Sequence, residues 1–252
     1  MLARAMARKG NALQKKGDLE GAISAYSKSL MEHRTADTLT RLNAAERVLK
    51  EQRQAAYEDP AKAEEEREAG NLLFKEQKYP EALGRYSEAI KRNPRDHRAY
   101  SNRSACYTKL TAWVEGLKDA EKCVELAPTF GKGYSRKGAV LFFMKDYDKA
   151  LAAYQLGLEH DAGSEELKEG VRRCIDQINK VSRGEVTEDE LKERQERAMA
   201  DPDVQAILTD PVMRQVLNDF QNDPKAAQHH TKNAGVMAKL QKLINAGIVR
   251  MS

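Results

Sequence analysis

The sequence predicts an all-α protein: helix-turn-helix repeats stacked into a superhelix, followed by a small domain of five short helices. Three observations carry that prediction. Small and aromatic residues recur every 34 residues in register: Gly70, Ser104 and Gly138; Tyr79, Trp113 and Tyr147; Ala82, Gly116 and Ala150; Tyr86, Ala120 and Tyr154; Ala89, Cys123 and Gly157. A fixed period of this length marks stacked supersecondary units. Pro94 and Pro128 close the first two units, with Ala162 in the third place; proline stops a helix because it lacks the amide donor and clashes with the preceding turn. Past residue 188 the text changes to Asp-Pro pairs, Asp201-Pro202, Asp210-Pro211 and Asp223-Pro224. Each reads as a helix start, with Asp capping the free amides and Pro preorganised at the first helical position.

In chain order, Gly10, Ala22 and Tyr26 repeat the columns of the later units, so residues 1–57 hold one repeat and a helix that covers its open face. That covering helix runs from roughly Thr35 to Tyr57, with Leu39, Leu42, Ala45, Val48 and Leu49 at helical spacing. A lone repeat cannot bury both faces, so this one is expected to be the last of an upstream array and the chain the C-terminal part of a longer protein. Glu58-Asp59-Pro60 marks a joint. Residues 62–182 hold three repeats and a second capping helix, Ser164 to Val181, with Leu167, Val171, Cys174, Ile175 and Ile178 inward. Residues 183–187 read as a linker and 188–252 as the five-helix domain. There the short helices carry more apolar side chains than they readily bury on one another. A half-open groove lined by Met213, Leu217, Phe220, Met237 and Leu240 is one reading; a closed core is the other.

Composition narrows the function classes. Charged residues are 33% and apolar ones 40%, which suits stacked helices with much surface, and a net charge of +4 is too small to imply nucleic acid. Cys106, Cys123 and Cys174 lack metal-ligand or disulfide spacing and read as small buried apolar groups in a reducing compartment. No apolar run approaches the ~20 residues of a membrane span, and no secretory signal opens the chain. No HExxH, GxSxG or phosphate-cradling glycine loop is present. His229-His230 have no carboxylate at ligand spacing and read as exposed helix-end residues. The expectation is a non-enzyme without cofactor or metal, in the cytoplasm or shared with the nucleus, that binds neither membrane nor nucleic acid.

The columns resemble the tetratricopeptide repeat, with units 63–96 and 131–164 matching well and 97–130 departing where Ala120 replaces the aromatic. The resemblance implies that the first helix of each unit lines a concave face. On those helices Arg67 and Asn71 are four residues apart, Asn102 follows, and Lys132 and Arg136 are again four apart, which puts each pair on one helix face. The set is similar to the dicarboxylate clamp of tetratricopeptide co-chaperones, with Arg67 in place of the lysine, and Lys109 matches an auxiliary cation. Such clamps hold the free C-terminal Glu-Glu-Val-Asp of heat-shock chaperones. Cations neutralise the two terminal carboxylates and amides hydrogen-bond individual oxygens, at roughly 1.5–3 kcal/mol per charge-assisted bond; ordering a short peptide offsets much of this. Binding is therefore expected to be micromolar and salt-sensitive. Arg4 and Arg8 occupy the repeat positions of Lys132 and Arg136 and look like half of an upstream clamp, crippled here for want of its asparagines.

The wording Lys91-Arg92-Asn93-Pro94, Ser101 to Leu110 and Ala198-Met199-Ala200-Asp201-Pro202 resembles the Hsp-organising, stress-inducible co-chaperone family. That likeness covers nearly the whole chain. It implies an adaptor that binds the tails of heat-shock proteins 70 and 90 and serves client proteins indirectly, with 188–252 as an Asp-Pro-rich domain aiding client activation. The alternative is a repeat scaffold unconnected with chaperones, whose C-terminal helices bind apolar segments.

Overall fold

The computed structural model describes residues 1–183, 185–222 and 229–249. Among them are fourteen α-helices and no strand, as the periodicity predicts: α1 (Leu2–Lys15), α2 (Leu19–Glu32), α3 (Ala36–Tyr57), α4 (Pro60–Lys75), α5 (Tyr79–Arg92), α6 (His97–Lys109), α7 (Trp113–Leu126), α8 (Gly131–Phe143), α9 (Tyr147–His160), α10 (Glu165–Ser182), α11 (Glu188–Met199), α12 (Pro202–Thr209), α13 (Pro211–Asn222) and α14 (Ala234–Asn245). The chain forms two compact units. One holds Met1–Leu72 and Gly84–Arg95; the other holds Leu73–Leu83 and the chain from Asp96 onward.

In the first unit, α1 and α2 pack as a hairpin whose contact is set by a glycine and a tyrosine. A methyl group added at Gly10 would lie 2.5 Å from the Tyr26 ring, so the ring presses directly on the α1 backbone. Tyr26 is fully buried, and its hydroxyl lies 2.8 Å from Asn11 Oδ1 and 2.7 Å from Gln14 Oε1. Helix α3 covers this pair: Ala45 is buried with Leu19, Ala22 and Tyr26, and Leu42, Val48 and Leu49 pack around them. The Gly–Tyr contact recurs at Gly70, where an added methyl would be 2.6 Å from the Tyr86 ring.

The second unit contains the α6–α7 and α8–α9 hairpins, capped by α10. Tyr154 repeats the contact twice over, because methyls at Gly138 on α8 and at Gly170 on α10 would lie 2.7 and 2.5 Å from its ring. The α6–α7 hairpin has Ala120 where the ring would be, and it is held differently. Ser104, in the glycine column, donates to the Gly116 carbonyl at 2.8 Å. Arg103 makes a two-pronged bond to Asp119, at 2.6 and 2.8 Å. Losing the ring leaves room for a hydroxyl, and polar bonds then supply what ring burial supplies elsewhere. On α10, Leu167, Cys174 and Ile178 face inward, but Ile175 is 43% exposed, against expectation. It follows Cys174 directly and is rotated about 100° off the buried stripe.

A further device repeats with the period. The turn between the two helices of each repeat carries one residue at positive φ: Gly17 at 83°, Gln77 at 63°, Thr111 at 59° and Lys145 at 61°. Only the first is the glycine this conformation favours. A left-handed Thr111 is strained because its branched Cβ crowds the backbone.

Beyond α10, Thr187 opens α11 with a reciprocal capping box to Glu190. Asp201 accepts from the Asp203 amide at 2.9 Å and Asp210 from the Val212 amide at 2.9 Å, so both Asp-Pro pairs cap as expected; Asp223-Pro224 lies outside the described residues. The core here is Val204, Ile207, Met213, Val216 and Leu243. Helices α11, α12 and α14 also bond to the third repeat. Lys149 reaches Asp201 at 2.8 Å, Lys145 reaches Glu193 at 2.6 Å, and Asn245 donates to Asp148 at 2.7 Å. A cavity of about 270 Å³ opens among these groups. No described helix is long and apolar enough to cross a membrane.

Candidate functional site

In the first unit, Arg67 and Asn71 lie on successive turns of α4. Arg67 is 8% exposed and grasped by two carboxylates of its own helix: Glu64, whose Oε2 is 3.2 Å from Nε, and Glu68, 3.0 Å from Nη2. Asn71 Oδ1 accepts from the Tyr86 hydroxyl at 2.9 Å, which turns its amide NH₂ away from Tyr86 and toward Glu68 at 3.2 Å. The ring that sets α4 against α5 therefore also fixes which end of Asn71 serves as donor. Arg4 and Arg8 are exposed on α1.

In the second unit, Asn102 sits mid-way along α6, half-buried, and Lys109 is exposed in its last turn. Lys132 and Arg136 occupy adjacent turns of α8. Lys132 is exposed and has no salt bridge among the described residues. Arg136 is mostly covered: Nη1 donates to Glu166 Oε1 at 2.7 Å, and its buried Nε–H has no acceptor among the described residues. Glu166 stands in the first turn of α10. Burial pushes its carboxyl up, but the Arg136 charge and side-chain hydrogen bonding, with Lys132 as a lesser charge, outweigh burial and hold it below the usual carboxylate range. Three small residues let α8 come close to its neighbours. Gly131 faces Asp161 and Gly138 faces Tyr154, each with room for no more than a hydrogen, and Gly133 sits tightly against Cys123.

The carboxylate partners of the arginines were missed from sequence. Glu64 and Glu68 had a readable signal, since they fill the same repeat positions as Lys132 and Arg136, and Glu64 stands one helical turn before Arg67. Glu166 had none: it meets Arg136 across thirty residues.

Two expectations are corrected. Met213 and Leu240 are fully buried, so they close the core rather than line an open groove; helices α12, α13 and α14 meet over them. Leu217, Phe220 and Met237 remain half-exposed. His230 does have a carboxylate partner: its Nε2 lies 2.7 Å from Asp219 Oδ2. No cluster of three ligating side chains occurs among the described residues. Cys106, Cys123 and Cys174 are buried and unpaired, and burial pushes each thiol up to about 12, so none is a reactive thiolate near neutral pH.

The family model described as STI1/HOP, DP domain matches residues 191–245, and one for the tetratricopeptide repeat matches residues 3–31. Over its whole length the chain is 65% identical to Hsp70-Hsp90 organizing protein 3 of Arabidopsis thaliana, covering 46% of that protein. It is 40% identical to stress-induced-phosphoprotein 1 of Caenorhabditis elegans, across 100% of this chain and 76% of that one. Among solved structures, the TPR2AB domain of yeast Sti1 in complex with an Hsp90 peptide superposes with a TM-score of 0.65 at 39% identity, over 68% of this chain and 69% of that one. The chain spans a little under half the length of the plant relatives it matches.

Proposed function

This chain belongs to the Hsp70-Hsp90 organizing protein family, and on that premise we propose that it is a non-catalytic adaptor of the cytoplasm that binds the acidic C-terminal tails of heat-shock proteins 70 and 90. Arg67, Asn71, Asn102, Lys132 and Arg136 form the carboxylate clamp, and Lys109 assists. Residues 188–252 act on the client side, with Leu217, Phe220 and Met237 as the apolar contacts. The observation that carries the reading is the register. Amides and cations fall on the first helix of three consecutive repeats, each at a fixed place in the 34-residue period, and a basic patch as such would have no use for the two asparagines. The yeast relative, solved with an Hsp90 peptide, supports the class of ligand.

The test is a titration of a free-acid Glu-Glu-Val-Asp peptide against its C-terminally amidated form. The free acid is expected to bind with micromolar affinity that weakens with salt. Amidation, or Lys132→Ala with Arg136→Ala, is expected to cost at least about tenfold, since each charge-assisted bond is worth roughly 1.5–3 kcal/mol. Equal binding of acid and amide would remove the clamp.

A further inference from the structure

We propose that Glu166 is a built-in competitor for the clamp: its carboxylate holds the Arg136 guanidinium and must be displaced, or made to share it, when a peptide carboxylate binds. The proposal rests on the carboxylate-binding reading above and names the residue that sets its affinity.

The geometry is that of a tethered ligand. Glu166 Oε1 takes a 2.7 Å charge-assisted bond from Nη1, the same bond a peptide carboxylate would take. Arg136 meets Glu166 through Nη1. Its side chain is 20% exposed, and the Nε–H is buried without an acceptor among the described residues. An arriving anion therefore meets a guanidinium that already shares its charge with a carboxylate at Nη1. Glu166 is also free to leave. Its side chain is 55% exposed, and it sits in the first turn of α10, where a carboxylate remains favourable beside the helix N-terminus whether or not it touches Arg136. The α10 core contacts, Leu167, Cys174 and Ile178, do not depend on it. Lys132, one turn away on α8 and without a salt bridge among the described residues, is the cation through which a peptide can first engage before Glu166 yields.

The consequence runs opposite to that of an ordinary site residue. Neutralising Glu166 removes both the competing acceptor and a repulsive charge, so affinity for an acidic tail should rise. A residue that merely props Arg136 in place would lower affinity on removal.

The experiment uses the whole chain and the free-acid and amidated Glu-Glu-Val-Asp peptides, with wild type, Glu166→Gln, Arg136→Ala and the double variant, each checked by thermal melting. Glu166→Gln keeps the size of the side chain and is expected to tighten free-acid binding by about three- to tenfold. In the Arg136→Ala background the same change should give less than half of that gain, because the competition acts on Arg136. Unchanged or weaker binding by Glu166→Gln, in a protein that still prefers acid over amide, overturns the competitor and makes Glu166 a support for Arg136. A gain of equal size without Arg136 also overturns it, since the effect would then be general charge repulsion. Wild type that fails to distinguish acid from amide refutes the clamp itself, and the competitor with it.

Discussion

Replacing Gly138 by alanine tests the packing logic of the repeats most directly. The new methyl would lie 2.7 Å from Cε1 and Cζ of Tyr154 and 2.8 Å from Cδ1, about an ångström inside comfortable contact. A ring can often lean away from such an intrusion. Tyr154 cannot, because its other face rests on Gly170, where a methyl would be 2.5 Å away, and it is only 4% exposed. Overpacking costs about 1–3 kcal/mol, and a ring pinned between two backbones belongs at the upper end. Alanine recovers about 1 kcal/mol of helix propensity. The net is about 2 kcal/mol of destabilisation, confined to the third repeat and its cap because repeats couple to nearest neighbours. Gly84→Ala is the control. It is an exposed helical glycine with nothing within 4 Å of an added methyl, so it should stabilise by about 0.5–1 kcal/mol. Native-state hydrogen exchange reads both locally. Protection in α8 to α10 should fall about 30-fold in Gly138→Ala, the equivalent of 2 kcal/mol, and protection in α5 should rise in Gly84→Ala. A Gly138→Ala protein as well protected as wild type would refute the argument that the ring sets helix separation.

Asp119→Ala leaves the Arg103 guanidinium, 19% exposed, without its two-pronged carboxylate. It should cost about 3 kcal/mol, the low end for a buried pair because Arg103 keeps some contact with water; urea unfolding measures it, and Arg103→Ala added to it should recover part of the loss. The bonds between the third repeat and α12 should respond to acid in a defined sense. Lys149 bonded to Asp201 holds that carboxyl below the usual range despite burial, so its contribution is complete above the unfolded value of about 3.9 and is lost as pH falls through the lower folded one. Asp148 has the opposite sign. Burial pushes its carboxyl up, with Asn245 opposing, so its ionised form costs stability and protonation relieves that cost. Followed from about pH 7 to pH 3, amide shifts of α12 beside Asp201 should change only below the ordinary carboxylate value of about 3.9, and those of α14 beside Asp148 should change above it; the reverse order would count against these carboxylates.

The second repeat shows where sequence reading stops. Its columns identify α6 and α7, and Ala120 marks the departure from the Gly–Tyr pattern. Nothing in the pattern says what replaces the ring. Ser104 bonding the Gly116 carbonyl and Arg103 bonding Asp119 appear only once the hairpin is folded. The turns are similar: Gln77, Thr111 and Lys145 take a left-handed conformation that no glycine or asparagine advertises, because the tight αα-turn imposes it. The candidate site divides the same way. Arg67, Asn71, Asn102, Lys132 and Arg136 were readable from a fixed period, whereas Glu166 and the Tyr86 hydroxyl that orients Asn71 were not.

The sequence by itself determined the all-α class, the 34-residue period, the glycine and tyrosine columns, and the Asp-Pro helix starts at Asp201 and Asp210. These are local quantities: helical spacing, capping chemistry and a repeating unit all act within a few turns of chain. Tertiary structure alone decided which charge meets which. It set Glu166 on Arg136, Asp219 on His230 and Asp201 on Lys149, and it closed the core over Met213 and Leu240. Such pairs join residues far apart in the chain, and a side chain's partner at that range depends on how whole helices pack, which no short stretch of sequence specifies.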